Sequence, residues 1–368
     1  MYGKKWTKHL IWICSFLLCW ISVATACTGI RLIAKDGAAV YGRSMEWGTF
    51  DLNSRVAVIP RGYKFTGLTP DGNNGKVWKA KYGVVGLDML SKDLLADGMN
   101  EKGLSAGLFY HPGTAKYMEY TSKGARNTIT AVDIVSYILS NFATVDEVRK
   151  GMREVRVVPV IEEALGIPVD GHWMVTDASG ASIVIEYLDG GVKIFDNPLG
   201  VITNSPTYDW HMTNLRNYIN LSSVALPTKN IEEMDFAPLG GGSGMIGLPG
   251  DFTPPSRFIR AVAWSQTARP TADGKETVYE LFRILDNFNL PLGGAEGSDS
   301  DGVNTEGMRS ATIWTTAWDH KNKTLYFHTQ HNRRVRKVEL SGLDFTGKAI
   351  SHIALDRKKE QDIEDITP

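Results

Sequence analysis

Apolar and polar residues alternate along 28–41, where Ile30, Leu32 and Ala34 keep a period of two, and again along 54–60 at Val56 and Val58. This period predicts strands. Residues 61–80 are rich in Gly, Asp, Asn and Lys and predict a surface loop. Over 130–142 the period lengthens, and Val132, Val135, Ile138, Leu139 and Phe142 fall on one helical face. Thr130 and Asp133 supply a capping box for this helix, and Thr144 and Glu147 open a second one in the same way. Residues 172–195 predict hairpins that turn at Asp177-Ala-Ser-Gly180 and at Asp189-Gly190. A Gly/Pro loop over 237–255, helical patterns at 256–265 and 275–288, and a polar loop over 292–307 follow. A last hairpin pairs 312–318 with 324–329 around 319–322. Strands at both ends of a helical middle predict an α+β fold, not alternating βαβ units, closed into one domain by its C-terminal strands.

The N-terminus breaks this pattern. Lys4, Lys5 and Lys8 precede an almost wholly apolar run at 10–23, and Ala24-Thr25-Ala26 stands before Cys27. A positive segment, a short apolar core and an A-x-A site predict a secretory signal over 1–26, removed on export to the periplasm or outside. The run falls short of the ~20 residues of a membrane span, so no stable span is expected after cleavage. Residues 27–368 are then the single mature domain. Cys14 and Cys19 leave with the signal, Cys27 becomes the first residue and the sole cysteine, and loss of three lysines takes the formal charge from -1 to -4. An exported, unpaired cysteine asks for a reason. One is acylation of Cys27 as a lipoprotein anchor. Against it, Ala24 stands where such sites usually carry a larger aliphatic residue, and no Ser/Gly tether follows. The other is an N-terminal nucleophile, in which the α-amine exposed by cleavage takes the thiol proton, so no catalytic histidine is needed.

A chain of 368 residues that is 43% hydrophobic and 22% charged is neither disordered nor a polytopic membrane protein. Its near-zero balance offers no general basic surface for nucleic acid. The sequence holds no G-x-x-x-x-G-K-[ST], H-E-x-x-H, C-x-x-C or G-x-S-x-G. Gly240-Gly-Gly-Ser-Gly244 lacks a following lysine, and Asp299, Asp301, Asn304 and Glu306 lack the EF-hand spacing. His172 and His211 lie beside tryptophans and read as packed or hydrogen-bonded side chains. Neither a metal nor an organic cofactor is expected.

Cys27-Thr-Gly-Ile30 followed by Tyr41-Gly-Arg-Ser-Met-Glu-Trp47 resembles the opening of the choloylglycine hydrolase family, which includes bile salt hydrolases and penicillin V acylases. Further similar segments follow in order: Asp97-Gly-Met-Asn-Glu-Lys-Gly-Leu104, His172-Trp-Met-Val-Thr-Asp177, Thr203-Asn-Ser-Pro206 with Asn214-Leu-Arg-Asn217, and Leu248-Pro-Gly-Asp251 with Ser256-Arg-Phe258. The resemblance implies an N-terminal-nucleophile hydrolase, a four-layer αββα sandwich that cleaves linear amides through a thioester on Cys27. It implies that Asn204 donates a backbone N–H to the oxyanion and that Arg43 and Arg257 flank the thiol. It places Glu46 where the family often has Asp to hold the α-amine, and it allows a homo-oligomer, a tetramer. Met45, Trp47, Phe109 and Tyr110 would form an apolar acyl pocket. Conjugated bile salts, phenoxyacetyl penicillin and N-acyl homoserine lactones all fit such a small-molecule N-acyl substrate.

Overall fold

The structure is a computed structural model and describes residues 27–48, 51–163, 166–296 and 309–368. The expected signal segment 1–26 and most of the expected loop 292–307 lie outside the described residues.

Two antiparallel sheets form the centre. In chain order their strands are β1 (Thr28–Ile33), β2 (Ala39–Trp47), β3 (Arg55–Ile59), β4 (Val84–Met89), β5 (Leu94–Asn100), β6 (Ser105–Tyr110), β7 (Gly171–Thr176) and β8 (Ser182–Leu188). There follow β9 (Gly191–Asp196), β10 (Val201–Ile202), β11 (Ala295–Glu296), β12 (Arg309–Asp319), β13 (Thr324–Thr329), β14 (Arg336–Glu339) and β15 (Ser351–Ala354). The first sheet runs β10-β1-β2-β12-β13-β14, with β11 added on β12; the second runs β9-β8-β7-β6-β5-β4-β3-β15.

The layers follow from which face each side chain buries. Along β3, Val56 and Val58 join the apolar cluster shared with the first sheet, while Ala57 and Ile59 join the cluster under the helices α1 (Ile134–Asn141) and α2 (Val145–Gly151). Such alternation is what a strand with period two must show when both faces are covered. On the far side of the first sheet lie α4 (Pro254–Thr267) and α5 (Gly274–Leu285), whose Phe258, Leu281 and Leu285 are buried among Ile30, Val40 and Trp318. A short helix, α3 (Tyr208–Asn214), links this side to the Thr203-Asn-Ser-Pro206 loop. The order helix, sheet, sheet, helix is the αββα sandwich.

The helices were legible in the caps. Thr130 and Asp133 form the expected box, but the chain makes a 3-10 turn over Ala131–Asp133 before α1 begins. The Thr144 side chain accepts the Glu147 N–H at the start of α2. The expected strand 28–41 is a hairpin instead. Gly37, at φ 82°, turns the chain between β1 and β2, where Ala34 N donates to Ala38 O. That left-handed turn needs the glycine. The expected loop 61–80 contains a small ribbon, Lys64–Thr66 with Val77–Lys79.

Candidate active site

Cys27 stands one residue before β1 and is buried. Its Sγ lies 3.8 Å from Met45 Sδ on the neighbouring strand. The second sheet comes close here because residue 29 is glycine. A Cβ at Gly29 would meet Phe109 Cζ at 2.6 Å and Ile202 Cγ2 at 2.8 Å, nearer than real carbons approach.

Arg43 pairs in register with Gly29 and is fully buried between the sheets. Its Nη1 donates to Leu108 O and, at 3.3 Å, to Ala96 O; its Nη2 lies 3.7 Å from Met45 Sδ. The guanidinium sits 4.1 Å above the centre of the Phe109 ring. Carbonyl oxygens and a π face thus replace the water this cation has lost.

Arg257 reaches the same point from the first turns of α4, a helix begun by Pro254 and Pro255. Its Nη1 donates to Cys27 O at 2.5 Å and to Thr28 Oγ1 at 3.0 Å, and its Nη2 donates to Asn204 Oδ1 at 2.6 Å. Asn204 Oδ1 also accepts the Cys27 N–H at 3.1 Å, and Asn204 Nδ2 donates to Tyr110 O at 2.7 Å. The Asn204 side chain is therefore committed on both ends, one of them to the nitrogen of Cys27. In the 368-residue chain that nitrogen is the peptide nitrogen after Ala26.

Glu46 is brought in by a register shift where β2 meets β12: Met45 pairs with Trp314, but Glu46 pairs with Thr312. The bulge re-aims the strand end. Glu46 Oε1 accepts from Thr312 Oγ1 at 2.7 Å, while Oε2 is buried without a partner. Burial pushes this carboxyl up to about 7, against the pull of Arg257 and the Thr312 hydroxyl. Burial also pushes the Cys27 thiol up; Arg43 is the strongest opposing influence, Glu46 adds to the rise, and Arg257 lowers it again. Arg257 falls to about 10, chiefly through burial, with Glu46 pulling it back up. A thiol among two cations and a carboxyl is set up to become a thiolate when a base takes its proton.

Cys27, Arg43, Glu46, Asn204 and Arg257 thus converge from four stretches of chain, Arg43 and Glu46 both from β2. Met45 touches the thiol, and Trp47 and Tyr110 meet edge to face with ring centres 6.4 Å apart. Phe109 does not join these aromatic residues in a pocket wall. It is fully enclosed beneath Arg43, edge-on to His172, where it supports the cation.

Two features escaped the sequence. Asp97, inside a segment noted only for its resemblance, joins the sheets: its Oδ1 accepts from Tyr41 Oη at 3.1 Å, and its Oδ2 from Thr316 Oγ1 and Trp318 Nε1, each at 2.7 Å. His111, Glu186, His172 and His211 form a buried group behind Asn204. The tryptophans beside His172 and His211 were the signal, and they pointed to packing.

Among the described residues, two groups bring potential metal ligands together: His111 with His172 and Glu186, and Asp88 with Asp93 and His352. Neither donor set fits an ion. The His111 and His172 rings are stacked, 4.1 Å apart and 3° from parallel, so their in-plane lone pairs cannot meet at one point. In the second group the Arg55 guanidinium already provides the cation, 2.6 Å from Asp88 and 3.3 Å from Asp93.

Residues 27–353 match the family described as linear amide C-N hydrolases, choloylglycine hydrolase family. The bile salt hydrolase/transferase of Clostridium perfringens is 33% identical over 330 residues, which are 88% of this chain and 95% of that protein. The crystal structure of a mutant conjugated bile acid hydrolase from Clostridium perfringens superposes with a TM-score of 0.80 at 30% identity, covering 93% of this chain and all of the other. Penicillin V acylase from Agrobacterium tumefaciens shares the fold, with a TM-score of 0.72 at 24% identity over 91% of this chain and 95% of that one. With a cysteine nucleophile at the centre of the site and this match over nearly all of residues 27–368, the chain belongs to the choloylglycine hydrolase family and is an amide hydrolase.

Proposed function

We propose that, after export and cleavage between Ala26 and Cys27, the protein hydrolyses the amide of a conjugated bile salt. The observation that carries this reading is the contact of Cys27 N with Asn204 Oδ1, itself fixed by Arg257. Cleavage turns that nitrogen into an amine beside the thiol of the same residue. Two neighbouring guanidinium groups disfavour its charged form, which keeps it available as a base.

The amine takes the proton from Sγ, and the thiolate attacks the substrate carbonyl carbon. The Asn204 backbone N–H donates to the resulting oxyanion; a donor of this kind is worth ~10²–10³ in rate. The protonated amine passes its proton to the leaving nitrogen, the C–N bond breaks, and a Cys27 thioester remains. Water, losing a proton to the same amine, attacks the thioester and releases the acid and the thiol. Glu46 Oε2, buried and unpartnered, is the carboxylate oxygen suited to hold the amine.

The bile salt assignment rests on the similarity to the Clostridium perfringens enzyme and on the aromatic residues Trp47 and Tyr110 next to Met45. A homo-oligomer belongs to the same reading. Ile219, Ile231, Met234, Phe236 and Leu239 are each more than half exposed, an apolar surface suited to a second copy of the chain.

The test combines mass spectrometry of the mature N-terminus with a panel of glycine- and taurine-conjugated cholate, penicillin V and long-chain N-acyl homoserine lactones. An unmodified N-terminal Cys27 and highest kcat/KM on the cholate conjugates are expected. Faster turnover of penicillin V or of a lactone moves the substrate within the family. A lipid-modified Cys27, whose thiol is blocked, overturns the mechanism.

A further inference from the structure

The stretch that carries Asn204 is held by histidines. His172 Nε2 lies 3.0 Å from Thr203 O, His211 Nε2 2.9 Å from Asn204 O, and His111 Nε2 3.3 Å from Pro206 O. Carbonyl oxygens only accept, so each Nε2 bears the proton and each imidazole is a donor. Three of the four carbonyls of 203–206 are gripped from one side by three buried rings. Burial lowers all three rings, His111 and His172 to about 3 and His211 to about 4, so they are neutral donors at neutral pH.

With its proton on Nε2, His172 presents the lone pair of Nδ1 to Glu186 Oε1, 3.2 Å away. Two acceptors face each other unless a proton lies between them. The same Oε1 accepts the Tyr208 N–H at 2.9 Å, at the first residue of α3. Glu186 lies on β8 and is fully buried, with His111 3.7 Å away and Asp209 as the nearby carboxylate. Burial pushes it up to about 7.

We propose that Glu186 is a positioning residue for amide hydrolysis: as a carboxylic acid it donates its proton to His172 Nδ1, fixes the ring whose Nε2–H holds Thr203 O, and so aims Asn204 at Cys27 and the oxyanion. The inference rests on the reading of Asn204 given above. Glu186 touches neither substrate nor thiol and acts through His172 and the loop. The contacts with His172 Nδ1 and Tyr208 N both meet the same oxygen, Oε1, whereas a glutamine amide carries its N–H and its oxygen on different atoms, so Glu186→Gln keeps the donor to Nδ1 at the expense of the acceptor for Tyr208 N. The charge is not needed; the donor is.

The test measures kcat and KM on the fastest amide of the panel for Glu186→Ala, Glu186→Gln, Asn204→Ala and the Glu186→Ala/Asn204→Ala double variant. His172→Phe, which keeps a stacking ring but no donor, stands in should Glu186→Ala fail to fold. Glu186→Ala and His172→Phe should lower kcat by about 10- to 100-fold, the cost of a small misplacement of a catalytic group, with KM little changed. Glu186→Gln, which keeps a donor for Nδ1, should recover part of the kcat lost in Glu186→Ala. The double variant should lose less than the product of the two single losses, because both changes remove the side-chain contact to Cys27 N while the backbone N–H of residue 204 remains to be aimed. Failure of Glu186→Gln to rescue, or additive losses in the double variant, overturns the proposal. Full activity of Asn204→Ala overturns the reading of Asn204, and an active Glu186→Ala beside an impaired Asn204→Ala overturns the positioning role alone.

Discussion

Arg257 Nη2 and the Cys27 N–H both point at one oxygen, Asn204 Oδ1, from 2.6 and 3.1 Å. The cation fixes the amide, and the amide fixes the nitrogen of the nucleophilic residue. In the uncleaved chain this nitrogen is part of a peptide bond, and the contacts that the proposed cleavage would offer a free amine are already in place.

Asn204→Asp exchanges the shared oxygen for a carboxylate at the same place. A carboxylate favours the charged amine and raises its pKa, so the base becomes free only at higher pH. The acid limb of the kcat/KM profile should therefore move to higher pH in Asn204→Asp, with maximal turnover partly kept. An acid limb that stays put would remove the amine from the role of base.

Phe109→Ala removes the ring beneath Arg43. A large aromatic lost from an enclosed site costs about 3–5 kcal/mol. The cation above loses its support, so kcat should fall for all acyl groups alike. A wall residue of the acyl pocket, the place the sequence reading gave Phe109, would instead show a KM effect confined to bulky acyl groups. A kinetic comparison of a short-chain and a steroid N-acyl amide separates the two outcomes.

That contrast shows where the sequence is legible. Cys27 was legible as the sole cysteine left after an expected cleavage site, and Arg43 and Arg257 through short motifs that resemble the family. Thr130 and Thr144 mark helix starts because capping is a local interaction. β4, β5 and β6 went unread because nearly every residue in them is buried, on one face by helices and on the other by the first sheet, so the apolar/polar alternation disappears. Phe109 was misplaced for the same reason. In a strand covered on both sides, only the structure says that Leu108 faces the helices and Phe109 faces Arg43. The group of His111, His172, Glu186 and His211 is spread over 100 residues of chain, and no spacing joins it.

Glu186 also predicts a pH signature in stability. Its folded pKa, about 7, lies above the ordinary 4.5. Between those values the unfolded chain has released the proton and the folded chain has kept it, so stability falls as pH rises through this window. Glu186→Gln removes the penalty. The difference in Tm between Glu186→Gln and the parent should grow in favour of the variant from pH 4.5 to pH 7 and level off above, corresponding to at most about 3 kcal/mol. A difference that is constant with pH would mean that Glu186 ionises normally.

The last prediction separates the two arginines at the thiol. Burial pushes the Cys27 thiol up, and Arg43 opposes this more strongly than Arg257. Alkylation by iodoacetamide follows the thiolate, so its pH dependence reads the thiol directly, without a substrate. With Cys27 the sole cysteine of residues 27–368, one site should be labelled. Arg43→Gln should move the alkylation midpoint to higher pH, and Arg257→Gln should move it in the same direction by less. Arg43→Lys keeps the charge but not the two-carbonyl grip on Leu108 and Ala96, so its midpoint should stay closer to the parent while kcat falls. A midpoint that shifts more for Arg257→Gln than for Arg43→Gln would transfer thiol activation to the α4 arginine and leave Arg43 as the residue that spaces the two sheets.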